Sequence, residues 1–146
     1  MVRLQAAPFD SGALLSAFCA DRSETGAVVS FTGLARAGEG DVESLVLEAY
    51  PGFTDAEIAR IAGAARARFS LQDVLVVHRI GEIAPGEAIV FVATAATHRR
   101  EAFEAADHLM DYLKSRAPFW KKERGPHGER WIEPSARDLE DAARWE

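Results

Sequence analysis

The stretch AIVFVATAATHRREAFEAADHLMDYLKSRAPFW, Ala88 to Trp120, contains the change of period on which the fold turns. Ala88–Ala96 is a β-rich apolar run and reads as a buried strand. From Thr97 the pattern changes: Phe103, Ala106, Met110 and Leu113 recur at helical spacing, which predicts a helix from a Thr97 cap to about Arg116. Pro118 stops that helix, because proline lacks an N–H and disfavours helix in the residue before it.

Working outward, DVLVVHRI (Asp73–Ile80) is a second β-rich run, joined to the first around Ala84-Pro85-Gly86-Glu87, which predicts a central strand pair. GAVVSFTGLAR (Gly26–Arg36) reads as a strand, followed by a glycine-bearing loop, ARAGEGD. ESLVLEAY (Glu43–Tyr50) alternates like another strand, with Leu45, Leu47 and Ala49 on one face. Thr54 and Glu57 have the spacing of a capping box, opening a helix whose Ile58, Ile61, Ala62, Ala65 and Phe69 form one stripe. Arg60, Arg66 and Arg68 fall off that stripe and are expected in solvent. An earlier helix starts near Asp10 or Ser11 and carries Leu14, Leu15, Phe18 and Cys19. FWKKE and ERWIE flank Arg124-Gly125-Pro126-His127-Gly128 as a hairpin, and Ser135 to Asp138 can cap a short, polar C-terminal helix that is expected to fray. Interleaved strands and helices give the class α/β, or α+β.

The 146 residues, 48% hydrophobic and 27% charged, suit a single domain over 1–146 with a real core. The apolar run is too short to cross a bilayer, and the N-terminus lacks the apolar centre of a secretory signal. One cysteine excludes an internal disulfide framework, so the expected compartment is a reducing cytoplasm. Cys19 itself is expected in the core. A net charge of −6 argues against a general nucleic-acid binder. Between Thr97 and Arg124, however, seven basic side chains meet five acidic ones, so this segment carries about +2 and the remainder about −8. An acidic body with one basic segment suggests a site for a small anion.

All three lysines, Lys114, Lys121 and Lys122, lie within that segment, whereas the other fourteen basic residues are arginines. A lysine amine can be shifted toward neutrality and can act as acid, base or nucleophile; arginine stays protonated. Lys121 falls on the same face of an extended segment as Phe119, while Lys122 points the other way. Clustered surface lysines and core packing of Phe119 and Trp120 are the structural alternatives. Thr97, His98, Arg99 and Arg100 stand where a strand ends and a helix begins, a place suited to anions, or else to arginines paired with Glu101 and Glu104. Arg36, after a strand and before a glycine loop, is a further candidate. The four histidines and one cysteine have no metal-ligand spacing, and no nucleotide-binding loop or Gly-x-Ser-x-Gly motif is present.

GAVVSFTGLAR, LEAYPGFTDAEI, the run from VVHRIGE to FWKKE, and ERWIE together span Gly26 to Glu133 and resemble the large, catalytic subunits of molybdopterin synthase. The resemblance implies an α/β hammerhead fold with an added small antiparallel β subdomain. It implies a sulfurtransferase that inserts two sulfurs into cyclic pyranopterin monophosphate to make molybdopterin, in molybdenum cofactor biosynthesis. The sulfur would arrive as a thiocarboxylate on the C-terminal Gly-Gly of a small ubiquitin-like subunit. Two large subunits would form the homodimer at the centre of a heterotetramer. Carried over by position, Lys114 and Lys121 are the implied catalytic residues. Leu34, Ala35, Arg36, His98, Arg99, Lys122 and Glu123 join them in binding substrate, with His98 and Arg99 serving the partner's site. Neither metal nor organic cofactor is implied, and neither nucleic acid nor membrane. The loop after Arg36 departs from the family pattern in lacking asparagine. A cyclic phosphate and a thiocarboxylate are both anions, so a pocket of several cations fits the implied chemistry. The competing reading is a non-catalytic module that holds an anion or a partner's tail in the same pocket.

Overall fold

A computed structural model describes residues 1–146. In chain order the elements are β1 (Val2–Gln5), α1 (Ser11–Cys19), β2 (Ala27–Leu34), β3 (Ser44–Ala49), α2 (Thr54–Arg68), β4 (Asp73–Arg79) and β5 (Gly81–Ile83). They continue with β6 (Ala88–Ala96), α3 (Arg99–Ser115), β7 (Phe119–Gly125), β8 (Gly128–Ile132) and α4 (Ala136–Ala143). The strands form two four-stranded sheets, β1-β4-β6-β2 and β5-β3-β7-β8, an α+β architecture. No helix is long and apolar enough to cross a membrane.

Strand β6 is the axis of the first sheet. It pairs antiparallel with β2 on one side and β4 on the other. Because side chains alternate, Val90, Val92 and Ala96 enter the main core under α2 and α3, while Phe91, Ala93 and Ala95 face α1. Burial on both faces explains why the run reads as continuously apolar. The α2 stripe packs as its period requires: Ile58, Ile61, Ala62, Ala65 and Phe69 are all buried. Strand β4 continues into β5 and so passes from the first sheet to the second, where β5 pairs with β3. The β7–β8 hairpin completes the second sheet. Gly125 closes it tightly, since a Cβ there would lie 2.1 Å from the carbonyl oxygen of Asp41.

Several local expectations fail, each for a tertiary reason. Thr54 is not a cap but the first residue of α2, fully buried; its hydroxyl accepts from the Tyr50 N–H (2.8 Å) and donates to the Pro118 carbonyl (3.0 Å). It ties the start of α2 to the exit of α3. His98, not Thr97, caps α3, without a side-chain bond, because the Thr97 hydroxyl accepts instead from Gln72. Phe103 is 58% exposed; the α3 stripe runs through Ala102, Ala105, Leu109 and Leu113. Cys19 ends α1 and is exposed, not in the core. The C-terminal segment is anchored, not frayed: Ser135 and Asp138 form a capping box at the start of α4. Beyond the helix, Arg144 pairs with Asp107 and Asp111 of α3, and Trp145 packs edge-on against Phe69 and His108.

Candidate active site

Two adjoining cavities, of about 630 and 180 Å3, share Leu34, Arg36, Leu45, Ile89, Lys114 and Lys121 as walls. They lie where the C-terminal end of α3 meets the second sheet. Each cation arrives by a different route. Lys114 stands in the last turn of α3, just after buried Leu113. Arg36 follows the end of β2, where the register slips between Gly33 and Leu34 and the chain turns out of the sheet. Backbone bonds from Ala35 N–H to Glu87 O (2.9 Å) and from Gly86 N–H to Ala35 O (2.8 Å) fix that exit. Lys121 lies in β7, opposite Leu47 on one side and Ile132 on the other. The Thr54–Pro118 bond sets the chain's path into this strand.

None of these three cations is paired with a carboxylate of the protein. Unpaired cations converging on one cavity are electrostatically unfavourable until an anion enters. Burial first, and the charge of Lys114 next, push the Lys121 amine below its ordinary pKa, with Arg36 adding to the effect. Lys121 therefore loses its proton more readily than a surface lysine, as a proton-transferring amine requires.

His78 also lines the larger cavity, a role its spacing in the sequence did not signal. Its ring stacks on Phe119 at 4.3 Å, and Nδ1 donates to the Arg79 carbonyl at 2.8 Å. Burial lowers its pKa from 6.5 to about 4, so the ring is neutral at pH 7. The C-terminal segment forms another unforeseen wall, through Ile132, Glu133, Pro134, Ser135 and Asp138.

Of the residues singled out from sequence, Leu34, Ala35, Arg36, Lys114, Lys121 and Glu123 line these cavities. Lys122 does not. It lies on the other face of β7, 3.1 Å from Glu129 and over the Trp131 ring. His98 and Arg99 are exposed at the far end of α3, about 24 Å from Lys114 at 1.5 Å per helical residue. Within one chain they cannot reach the cavity that holds Lys114. No three His, Cys, Asp or Glu side chains converge to hold a metal ion.

An α+β scaffold with an unpaired cation cluster in a half-open cavity defines a protein built to receive anions. The sequence profile of the family described as MoaE protein matches residues 4–116. The chain is 70% identical to the molybdopterin synthase catalytic subunit of Caulobacter vibrioides, over 100% of this chain and 97% of that one. Among solved structures, the molybdopterin biosynthesis MoaE protein of Burkholderia ambifaria superposes with a TM-score of 0.84 at 42% identity, covering 99% of this chain and 97% of its own. Molybdopterin synthase of Staphylococcus aureus superposes at 0.80 with 28% identity, over 89% and 95%. The chain belongs to the MoaE family, that of the molybdopterin synthase catalytic subunits.

Proposed function

We propose that the whole chain, 1–146, acts as the catalytic subunit of a cytoplasmic molybdopterin synthase. It moves two sulfurs from the thiocarboxylated tail of a small ubiquitin-like subunit to cyclic pyranopterin monophosphate. The observation that carries this reading is the trio of unpaired cations, Arg36, Lys114 and Lys121, around one cavity. Such a cavity suits a phosphate-bearing pterin and a thiocarboxylate together. Lys114 neutralises the thiocarboxylate as it attacks and moves protons as oxygen leaves and sulfur enters, the second a task arginine cannot take over. Lys121, with its lowered pKa, shares that proton transfer. The sulfur is the partner's, so exposed Cys19 has no part in the reaction.

His98 and Arg99 enter the scheme only through a second copy. Their distance along α3 from Lys114 supports a homodimer in which one chain's helix start completes the other's cavity, the centre of a heterotetramer. Lys122 and Glu123 contribute at the cavity rim, Glu123 directly and Lys122 by holding the hairpin through Glu129.

The test is conversion of cyclic pyranopterin monophosphate to molybdopterin by this chain plus a thiocarboxylated small subunit, with Lys114→Arg alongside. Turnover that falls by about 100-fold or more in the variant supports catalysis by a lysine amine. Tight binding of the small subunit without turnover in either protein would leave the non-catalytic binding module.

A further inference from the structure

The cavity contains a charged group that the scheme above does not use. Asp138, third residue of α4, lines the same cavity as Lys121. Its place is fixed locally: the Ser135 N–H donates to Asp138 Oδ2 (3.2 Å), and the Asp138 N–H donates to Ser135 Oγ (3.1 Å). The far end of the C-terminal segment is fixed too, by Trp145 Nε1 donating to Asp111 Oδ2 at 2.6 Å. The wall that presents this carboxylate is therefore held at both ends.

Four charged groups act on the Lys121 amine, each from a different place: Lys114 on α3, Arg36 after β2, Glu123 two residues along β7, and Asp138 on α4. His78, from β4, is neutral and adds no charge at pH 7. The two acids differ. Glu123, at the rim of the smaller cavity, is already paired with Arg130 at 2.9 Å. Asp138 has no cation within ion-pair distance, and its hydrogen bonds are those of the capping box. A capping box needs only an acceptor at this position; the charge adds no hydrogen bond to it, only a favourable interaction with the helix dipole.

We propose that Asp138 is a positioning residue for Lys121, its fixed carboxylate acting across the shared cavity to offset the charges of Lys114 and Arg36 around the Lys121 amine. This rests on the proton-moving role given to Lys121 above. Without the carboxylate, Lys114 and Arg36 act on Lys121 with one fewer opposing charge, so its proton is lost at lower pH.

The experiment is acetic anhydride labelling of Lys121 across a pH series, read by mass spectrometry on the full chain. Asp138→Asn keeps the capping acceptor but removes the charge. It should melt close to the wild type, losing only the helix-dipole contribution of the charge, yet move the Lys121 labelling midpoint down by about one pH unit. Ser135→Ala breaks the cap but keeps the carboxylate, and should lower the melting temperature while moving the midpoint little. The alkaline limb of kcat/KM should shift in Asp138→Asn with the labelling midpoint. An unchanged midpoint in folded Asp138→Asn, or an equal shift in Ser135→Ala, would overturn the proposal. The labelling needs no turnover. A wild type that makes no molybdopterin would therefore overturn the enzymatic reading separately, with the Asp138 result still legible.

Discussion

The two faces of β7 carry adjacent lysines into opposite settings. On the inner face, Phe119 and Lys121 line a cavity with Lys114 and Arg36, and the Lys121 amine has no carboxylate partner. On the outer face, Lys122 pairs with Glu129 and lies beneath Trp131, with its side chain only 14% exposed. The chemistry of the two side chains is the same; the alternation of the strand separates them. One lysine is held short of a counter-ion, which makes it useful to an incoming anion. The other is satisfied within the protein, which makes it part of the hairpin's structure.

The sharpest way to break that contrast is truncation. Lys121→Ala should lower turnover by about 100- to 10,000-fold, the range expected for loss of a proton-transferring or charge-stabilising group. Lys122→Ala should stay within about tenfold, acting only through the hairpin's stability. Steady-state assay of the two variants beside the wild type checks this.

A second effect has its largest part on the inner face. His78 is buried and neutral when folded but titrates near 6.5 when unfolded, so the unfolded chain binds the extra proton first as pH falls. Stability attributable to His78 is complete above about pH 6.5 and falls as pH drops toward 4, by about 3 kcal/mol in all. His108, whose pKa burial also lowers, adds in the same direction. Urea unfolding at pH 7 and pH 4.5 should show this loss, and His78→Gln should remove a large part of the difference.

Thr54→Val tests what aims the strand. It leaves the Tyr50 N–H without its acceptor and the Pro118 carbonyl without its donor in a partly buried place, at a cost of about 1 kcal/mol or more. It should also lower turnover by misplacing Lys121, although Thr54 does not line the cavity. The smallest effect is expected on the outer face: Glu129→Gln should leave turnover within about twofold, since the half-exposed Glu129 lies outside the cavity and solvent screens its ion pair with Lys122.

Much of this contrast was legible in the sequence. The period change after Ala96, the β7–β8 hairpin and the opposed directions of Lys121 and Lys122 all follow from local patterns, and the structure has them. The errors came where local rules met tertiary partners. Thr54 has a cap's spacing, but its hydroxyl is taken by Tyr50 and Pro118. Phe103 has helical spacing, but Ala102 and Ala105 occupy the core side of α3. Strands β1 and β5, of four and three residues, are too short to show a period and exist through pairing with β4 and β3. His78 and Asp138 belong to the cavity because elements sixty residues apart converge there, and no local pattern encodes that meeting.

The most direct test of the account is single-turnover sulfur transfer by Lys121→Arg and Lys122→Arg, each with the same thiocarboxylated small subunit. Both variants keep positive charge on their own face of β7. Lys121→Arg should lose about 100-fold or more, because arginine cannot give up the proton, while Lys122→Arg should transfer sulfur at close to the wild-type rate. Equal rates in the two variants would contradict it, leaving charge alone as the requirement of the cavity.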